Sequence, residues 1–256
     1  MAHVEVMDTT GSTNAMALDD GREGLLLVAR EQTDGVGRHG SRWVSPRGGL
    51  YMSYAPPLMH TPARPTDLSP LAAMAVAEAV EAVLGRAGRG DTRALIKWPN
   101  DVLVSDGKVA GVLLRSRSGS PDNPPPRTVV GIGVNVNAIV VIDPPEIRPA
   151  DEWPVVPRSL AQLAGSPLSL LEVAIEVMEG LLTRLEAGLD GVAMGQYRSR
   201  CLTLGKRVSY FDGERRFVGT ARDLSPDGGA LLVALPDGTV REVSAGEVRH
   251  VRAVLG

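Results

Sequence analysis

Leu25-Leu26-Leu27-Val28-Ala29-Arg30-Glu31-Gln32-Thr33-Asp34-Gly35-Val36-Gly37-Arg38-His39-Gly40-Ser41-Arg42-Trp43 is the stretch from which the fold is read. Its apolar start has the length of a buried strand, and the residues from Gln32 to Trp43 follow neither a helical nor a strand period. Gly35, Gly37 and Gly40 give this loop a backbone able to take positive φ and to approach a ligand closely. Arg38 and Arg42 carry guanidinium forks suited to carboxylate or phosphate, and Trp43 offers a flat face to a heterocycle. A mobile, anion-seeking loop hung from a rigid strand is a common way to build a binding site. Taken alone, it is equally an ordinary surface loop with solvated charges.

Upstream, His3 to Val6 reads as a short strand, and the polar cluster Asp8 to Asn14 precedes Ala15-Met16-Ala17-Leu18. Thr10, Ser12 or Thr13 is placed to cap a short helix. The same hydroxyls and the Asn14 amide suit a neutral polar head group. Downstream, Gly49 to Tyr54 reads as a second strand rich in aromatics. Ser69-Pro70 predicts an N-cap with proline in the first turn, opening a helix whose face carries Leu71, Met74, Ala75, Ala79 and Val83 and which ends at Gly85. Leu95 to Lys97 enters a strand that Pro99 stops. Asp106-Gly107, between the segments 101–105 and 108–114, predicts a two-residue hairpin turn.

Residues 116–127 and 138–158 are rich in proline and read as loops. Between them, Thr128 to Val136 is a β-branched strand interrupted by Gly131 and Gly133, a pattern that marks close approach by a ligand or another backbone. Ser169 and Glu172 form a capping box. The helix beyond it is expected to bury Leu171, Ala174, Val177, Met178, Leu181 and Leu185 and to end near Gly188. After Leu202 the texture changes to short strands around 208–210, 217–220, 231–233 and 240–243. Asp212-Gly213, Asp227-Gly228 and Pro236-Asp237-Gly238 punctuate them, which predicts a small barrel or sandwich and a boundary near Cys201 to Thr203.

The totals narrow the function classes. A chain of 256 residues that is 43% hydrophobic can bury one large core and a smaller one. Its net charge of −3 lacks the basic excess of a general nucleic-acid binder. One cysteine, Cys201, excludes an intrachain disulfide, fits a reducing cytosol and reads as a small buried hydrophobe; with four histidines in all it makes no zinc cage. The N-terminus lacks the regions of a signal peptide, and no apolar run approaches the length of a membrane span. The expectation is a cytoplasmic protein with no membrane partner.

Lys97-Trp98-Pro99-Asn100-Asp101 is the second chemical cluster. Asn100 and Asp101 stand where a strand end presents them to a nucleotide, and Asp101 is the candidate ligand for Mg²⁺, which binds with phosphates through one or two carboxylates and several waters. Lys108, just past the hairpin turn, supplies a mobile cation. Arg38 and Lys108 together are suited to neutralising the charge that develops in acyl or phosphoryl transfer. Each of these residues also has a plain structural reading: a solvated lysine, a strand start, a core tryptophan. Ser12 has no assignable base, and no nucleophilic triad is present.

These stretches together resemble the biotin protein ligases. The matching motifs occur in the family's order: Ser12-Thr13-Asn14; the Gly-x-Gly-Arg-His-Gly loop; Lys97 to Asp101 with Lys108-Val109-Ala110-Gly111; and Gly131-Ile132-Gly133-Val134-Asn135. The resemblance implies an α/β (α+β) fold, with a mixed-sheet catalytic domain of the biotin/lipoate ligase type over 1–202 and an SH3-like β-barrel over 203–256. It implies that biotin and ATP form biotinyl-5′-AMP and pyrophosphate, after which a lysine of a biotin carboxyl carrier domain takes the biotin. Biotin contacts would fall to Ser12, Thr13, Asn14, Gln32, Gly35, Val36, Gly37, Arg38, Lys108, Gly111, Gly131 and Gly133. Nucleotide contacts would fall to Trp43, stacked on adenine, with Asn100, Asp101, Asn135, Arg38 and Lys108, and Mg²⁺ would accompany ATP. Lys108 and Arg38 would be the catalytic pair. The family often has arginine where this loop has Val36 and Ser41, so the loop carries less charge here. Few residues precede Asp8, too few for the winged helix of repressor-type ligases, so no operator binding is expected. A homodimer through an exposed strand edge is the candidate assembly. A lipoate–protein ligase, or a non-catalytic biotin- or nucleotide-binding regulator, is the alternative.

Overall fold

The computed structural model describes residues 3–118, 127–141, 155–225, 230–243 and 248–250. In chain order the elements are β1 (His3–Met7), α1 (Thr13–Asp20), β2 (Leu25–Ala29), β3 (Leu50–Ala55), α2 (Leu68–Arg86), β4 (Ala94–Lys97), β5 (Asp101–Val104), β6 (Gly107–Arg117), β7 (Arg127–Val134) and β8 (Val156–Pro157). There follow α3 (Leu160–Ala164), α4 (Leu170–Ala187), α5 (Gly191–Arg200), β9 (Arg207–Asp212), β10 (Arg215–Leu224), β11 (Leu231–Ala234), β12 (Val240–Val243) and β13 (Arg249–His250). Strands β1 to β8 form one mixed sheet, in the order β1-β2-β3-β7-β6-β5-β4 with β8 alongside β6. Pairs β1/β2 and β6/β8 are parallel and the others antiparallel. Strands β9 to β13 form a small antiparallel sheet in the order β12-β11-β10-β9-β13, an SH3-like domain.

The large sheet has two faces of opposite chemistry, and its registers show how the sequence writes them. Met52, Ile132 and Val112 lie in one cross-strand row, and Tyr54, Val130 and Leu114 in the next. These apolar residues pack on α2, part of the same core as Val177, Leu181 and Leu185 of α4. Because side chains alternate across a strand, the residues between them face the other way. That second face carries Ser53 and Tyr51, Gly131 and Gly133, Gly111 and Leu113, then Asp101 and Lys97, each aligned with its neighbour. The glycines of the β7 run therefore alternate with its core residues and bare one face of the sheet.

Several expectations need correction. Helix α2 starts at Leu68, one residue before Ser69, and Ser69 is not its cap. The stretch Pro65–Arg86 is long and apolar enough to match a membrane span. It serves instead as a core helix enclosed by the sheet and α4, with its carboxylates Glu78 and Glu81 paired with Arg184 and Arg200. In α4, Ser169 accepts from the Glu172 amide, but Leu171 is 69% exposed; Val173 takes the buried place, with Val177, Leu181 and Leu185. The reciprocal capping box lies at Ser159 and Gln162, opening α3, which the sequence pattern did not mark. The hairpin turn is Ser105-Asp106, with Ser105 at φ 54°, since Gly107 already pairs with Val104. Residues 119–126 and 142–154 of the expected loops, and Asp227-Gly228, lie outside the described residues.

Candidate functional site

The glycine-arginine loop is less free than its composition suggests. Gln32 bridges to Ser45 and Val36 to Arg42, so the segment closes as an irregular hairpin against the rim of the sheet. The Trp43 amide donates to the Gly35 carbonyl at 2.9 Å and the Gly37 amide to the Ser41 carbonyl at 2.7 Å. Ser41 also donates from its hydroxyl to the Arg38 carbonyl. Of the three loop glycines, only Gly40 has a positive φ, 75°. At Gly35 a Cβ would stand 2.6 Å from Ser45 Oγ, and at Gly37 it would stand 2.6 Å from Ser41 Oγ. Close approach, not left-handed backbone, requires glycine at those two positions.

One end of the bared face is a cluster of amide and hydroxyl groups. Ser12 caps α1, accepting from the Ala15 amide, and so places Thr13 and Asn14 in the first turn over the sheet. Gln32 Oε1 accepts from the Thr13 amide at 2.9 Å, while Gln32 Nε2 donates to Ser45 Oγ at 3.0 Å. Thr13 Oγ1 and Ser53 Oγ lie 2.8 Å apart. Asn14 donates to the Leu113 carbonyl and lies on Gly131, where any Cβ would collide with its amide. Its Oδ1 is buried and has no partner.

Two strand positions along, the Trp43 indole lies on Gly133 and Gly111, which are directly paired across β7 and β6. A Cβ on Gly133 would stand 2.6 Å from Trp43 Nε1, and one on Gly111 would stand 3.1 Å from Cζ3. Nε1 is buried without a partner. Lys108 Nζ stands 5.0 Å from the centroid of the indole and 2.7 Å from Asp101 Oδ1. Lys108 is thus a held residue, not the mobile cation its place beside a turn suggested. A β-bulge explains its aim. Val102 pairs with Ala110 but Leu103 with Lys108, so Val109 is the extra residue and Lys108 is turned onto the face of Asp101. The Lys108 carbonyl accepts from the Arg158 amide at 2.9 Å and from Asn135 Nδ2 at 3.3 Å.

Arg38 reaches the same end of the face. Its Nη1 lies 3.5 Å from Asn100 Oδ1, and Asn100 Nδ2 donates to the Val112 carbonyl. Burial works against ionisation of Asp101, yet Lys108, Lys97 and Arg38 together hold its carboxyl below the usual range. The two cations singled out in the sequence therefore converge on the adjacent pair Asn100 and Asp101. Asn100 and Asn135 are buried, Asn100 between Arg38 and the Val112 carbonyl and Asn135 on the Lys108 carbonyl. Among the described residues no group of three His, Cys, Asp or Glu side chains stands together. Asp101, the candidate Mg²⁺ ligand, is paired with Lys108. Lys97, Tyr197 and Ser53 were not singled out as site residues in the sequence. Ser53 was visible only as a polar residue in an apolar strand.

Residues 5–135 match the biotin/lipoate A/B protein ligase family, and residues 203–251 match the biotin protein ligase C-terminal domain. The chain belongs to this family. It is a ligase of the biotin protein ligase type. A biotin–[acetyl-CoA-carboxylase] ligase of Mycobacterium tuberculosis is 33% identical over 97% of this chain and 89% of that protein. The ligase of the same description from Paracoccus denitrificans is 34% identical over 90% of this chain and 93% of its own. The solved biotin protein ligase of Aquifex aeolicus in complex with biotin and ATP superposes with a TM-score of 0.78 at 26% identity, covering 99% of this ligase and all of that chain.

Proposed function

We propose that the ligase joins biotin to ATP on the glycine face and passes it to a biotin carboxyl carrier domain, that of acetyl-CoA carboxylase. The observation that carries this reading is the convergence of Arg38 and Lys108 on Asn100–Asp101, at the edge of a sheet face floored by Gly111, Gly131 and Gly133 and bearing buried polar atoms without partners. A buried polar atom without a partner is unfavourable by about 1–3 kcal/mol, so a ligand that supplies the partner is favoured there. Thr13, Gln32 and Ser12, with Asn14, form the polar end suited to the ureido ring, which offers both donors and an acceptor. The strip over Gly131, Gly133 and Gly111 takes the apolar valeryl chain, and the loop backbone from Gly35 to Arg38 takes the carboxylate.

In the first step a carboxylate oxygen of biotin attacks the α-phosphorus of ATP, and pyrophosphate leaves. Two anions must meet, and Lys108 and Arg38 offset their repulsion and the charge of the pentavalent phosphorus. Trp43 leaves the glycine floor to stack on adenine. In the second step the neutral amine of a carrier lysine attacks the acyl carbon, AMP leaves and the nitrogen loses a proton. Mg²⁺ would accompany ATP, held by the phosphates, waters and at most one or two carboxylates, for which Asp101 is the candidate. The division lies near Cys201–Thr203, with ligation residues before it and the barrel after it, and the reaction takes place in the cytoplasm. Purified protein given ATP, a carrier domain and either labelled biotin or labelled lipoate tests the reading. Carrier labelled by biotin supports it; label from lipoate alone would move the assignment to a lipoate ligase, and no label with biotin-dependent pyrophosphate exchange also absent would make the protein a binding regulator.

A further inference from the structure

The row of residues that forms the floor of the site does not stop at Asp101. Gly133 pairs with Gly111, Gly111 with Asp101 and Asp101 with Lys97, so Lys97 stands on the same face one strand further out. Its Nζ donates to the Val248 carbonyl at 3.2 Å, a bond that joins β4 to the segment entering β13 of the small sheet. The flanking residues are moored in the same direction. The Trp98 amide donates to Thr203 Oγ1 at 2.9 Å, and the Leu202 amide to the Ile96 carbonyl at 2.9 Å. Tyr197 of α5 donates to the Pro99 carbonyl at 2.8 Å, and its neighbour Arg198 bonds Asp223 at the end of β10. Every residue from Ile96 to Pro99 is thus tied to α5 or to the C-terminal part of the chain, immediately before Asn100 and Asp101.

We propose that Lys97 is a positioning residue through which the C-terminal sheet holds the Asn100–Asp101 end of the site in register with Lys108 and Arg38. The polar end around Thr13 and Gln32 is served by α1, β3 and the segment after β2, and among the described residues it has no such mooring. Removing the link therefore disturbs the nucleotide end and spares the biotin end. This inference rests on the proposed biotin adenylation.

Lys97→Met tests it, with Lys97→Arg and Thr203→Val alongside, in biotin-dependent ATP–pyrophosphate exchange and in calorimetric biotin binding. The Met variant should raise the KM for ATP by about tenfold, the factor expected from loss of one charge-assisted hydrogen bond, with biotin affinity unchanged. Lys97→Arg, which keeps both cation and donor, should restore the KM. Thr203→Val, which loosens the second mooring without touching a charge, should raise it in the same direction. If Thr203→Val leaves the KM for ATP unchanged in folded protein, Lys97 acts by its own charge and the linkage is wrong. Equal loss of biotin and ATP binding in Lys97→Met, or failure of the arginine variant to rescue, also overturns it. If the wild type itself shows no biotin-dependent exchange, the fault lies with the proposed function and not with Lys97.

Discussion

Replacing Gly133 by alanine would place a methyl carbon 2.6 Å from Trp43 Nε1, 2.7 Å from Cε2 and 2.9 Å from Cζ2. Normal contact between such atoms begins near 3.5 Å, so the indole must retreat by roughly 1 Å or leave the floor. The β7 backbone itself tolerates alanine, because Gly133 is not among the glycines at positive φ. Overpacking of this kind destabilises by about 1–3 kcal/mol where the neighbour cannot move. Trp43 sits on an irregular loop and can move, so the fold should lose less than this and the ligand more. A methyl on the floor obstructs the strip proposed for the valeryl chain, and a cost of about 1–3 kcal/mol there corresponds to roughly 5- to 150-fold weaker biotin binding. Gly111→Ala is the milder substitution of the same strip, since its Cβ would lie 3.1 Å from Cζ3 and needs only a few tenths of an ångström of relief. Calorimetric titration with biotin, beside thermal unfolding of the apo proteins, should rank affinity as wild type, Gly111→Ala, Gly133→Ala. Unimpaired binding by Gly133→Ala, or a larger loss in Gly111→Ala, would refute the view that this bared face is the ligand floor.

Lys108→Ala should abolish biotin-dependent pyrophosphate exchange while the fold, followed by circular dichroism, persists, because the lost ion pair with Asp101 is partly exposed and Lys97 and Arg38 still compensate the carboxylate. Arg38→Gly should release the adenylate early and label lysines outside the carrier domain, visible by streptavidin blotting of bystander protein; unchanged selectivity would remove this arginine from any retaining role. Glu81, which ties α2 to Arg200 and to the Ala94 amide, is disfavoured as an anion by burial but held below the usual carboxylate range by Arg200, the Ala94 amide and Arg93. Its folded-state pKa is depressed, so its contribution is complete above the unfolded value and is lost as pH falls through the folded one. The stability gap between wild type and Glu81→Gln in urea titrations should therefore be largest near neutrality and narrow below the ordinary carboxylate range.

What the sequence disclosed follows from how local each signal is. The alternation of Val130, Ile132 and Val134 with glycines gave the strand and hinted at its bare face, since period two is a local property. Loop glycines were visible, but their reason was not: whether a glycine serves φ or close approach depends on what packs opposite, here Ser45 and Ser41. Lys108 looked solvated because a bulge at its neighbour Val109 decides its direction, and a one-residue slip in pairing leaves no local mark in the sequence. Helix α2 showed one apolar face in the sequence, whereas the extent of its burial is set by the layers on both sides of it. Lys97 escaped attention as a site residue because its bond to Val248 spans more than half the length of the chain.

A crystal structure with biotin and a non-hydrolysable ATP analogue bound tests the central claim most directly. The account predicts the ureido ring beside Thr13 and Gln32, and the biotin carboxylate and α-phosphate within hydrogen-bond distance of both Lys108 Nζ and the Arg38 guanidinium. An α-phosphate that touches neither cation, or the two ligands bound on different faces of the sheet, would contradict it.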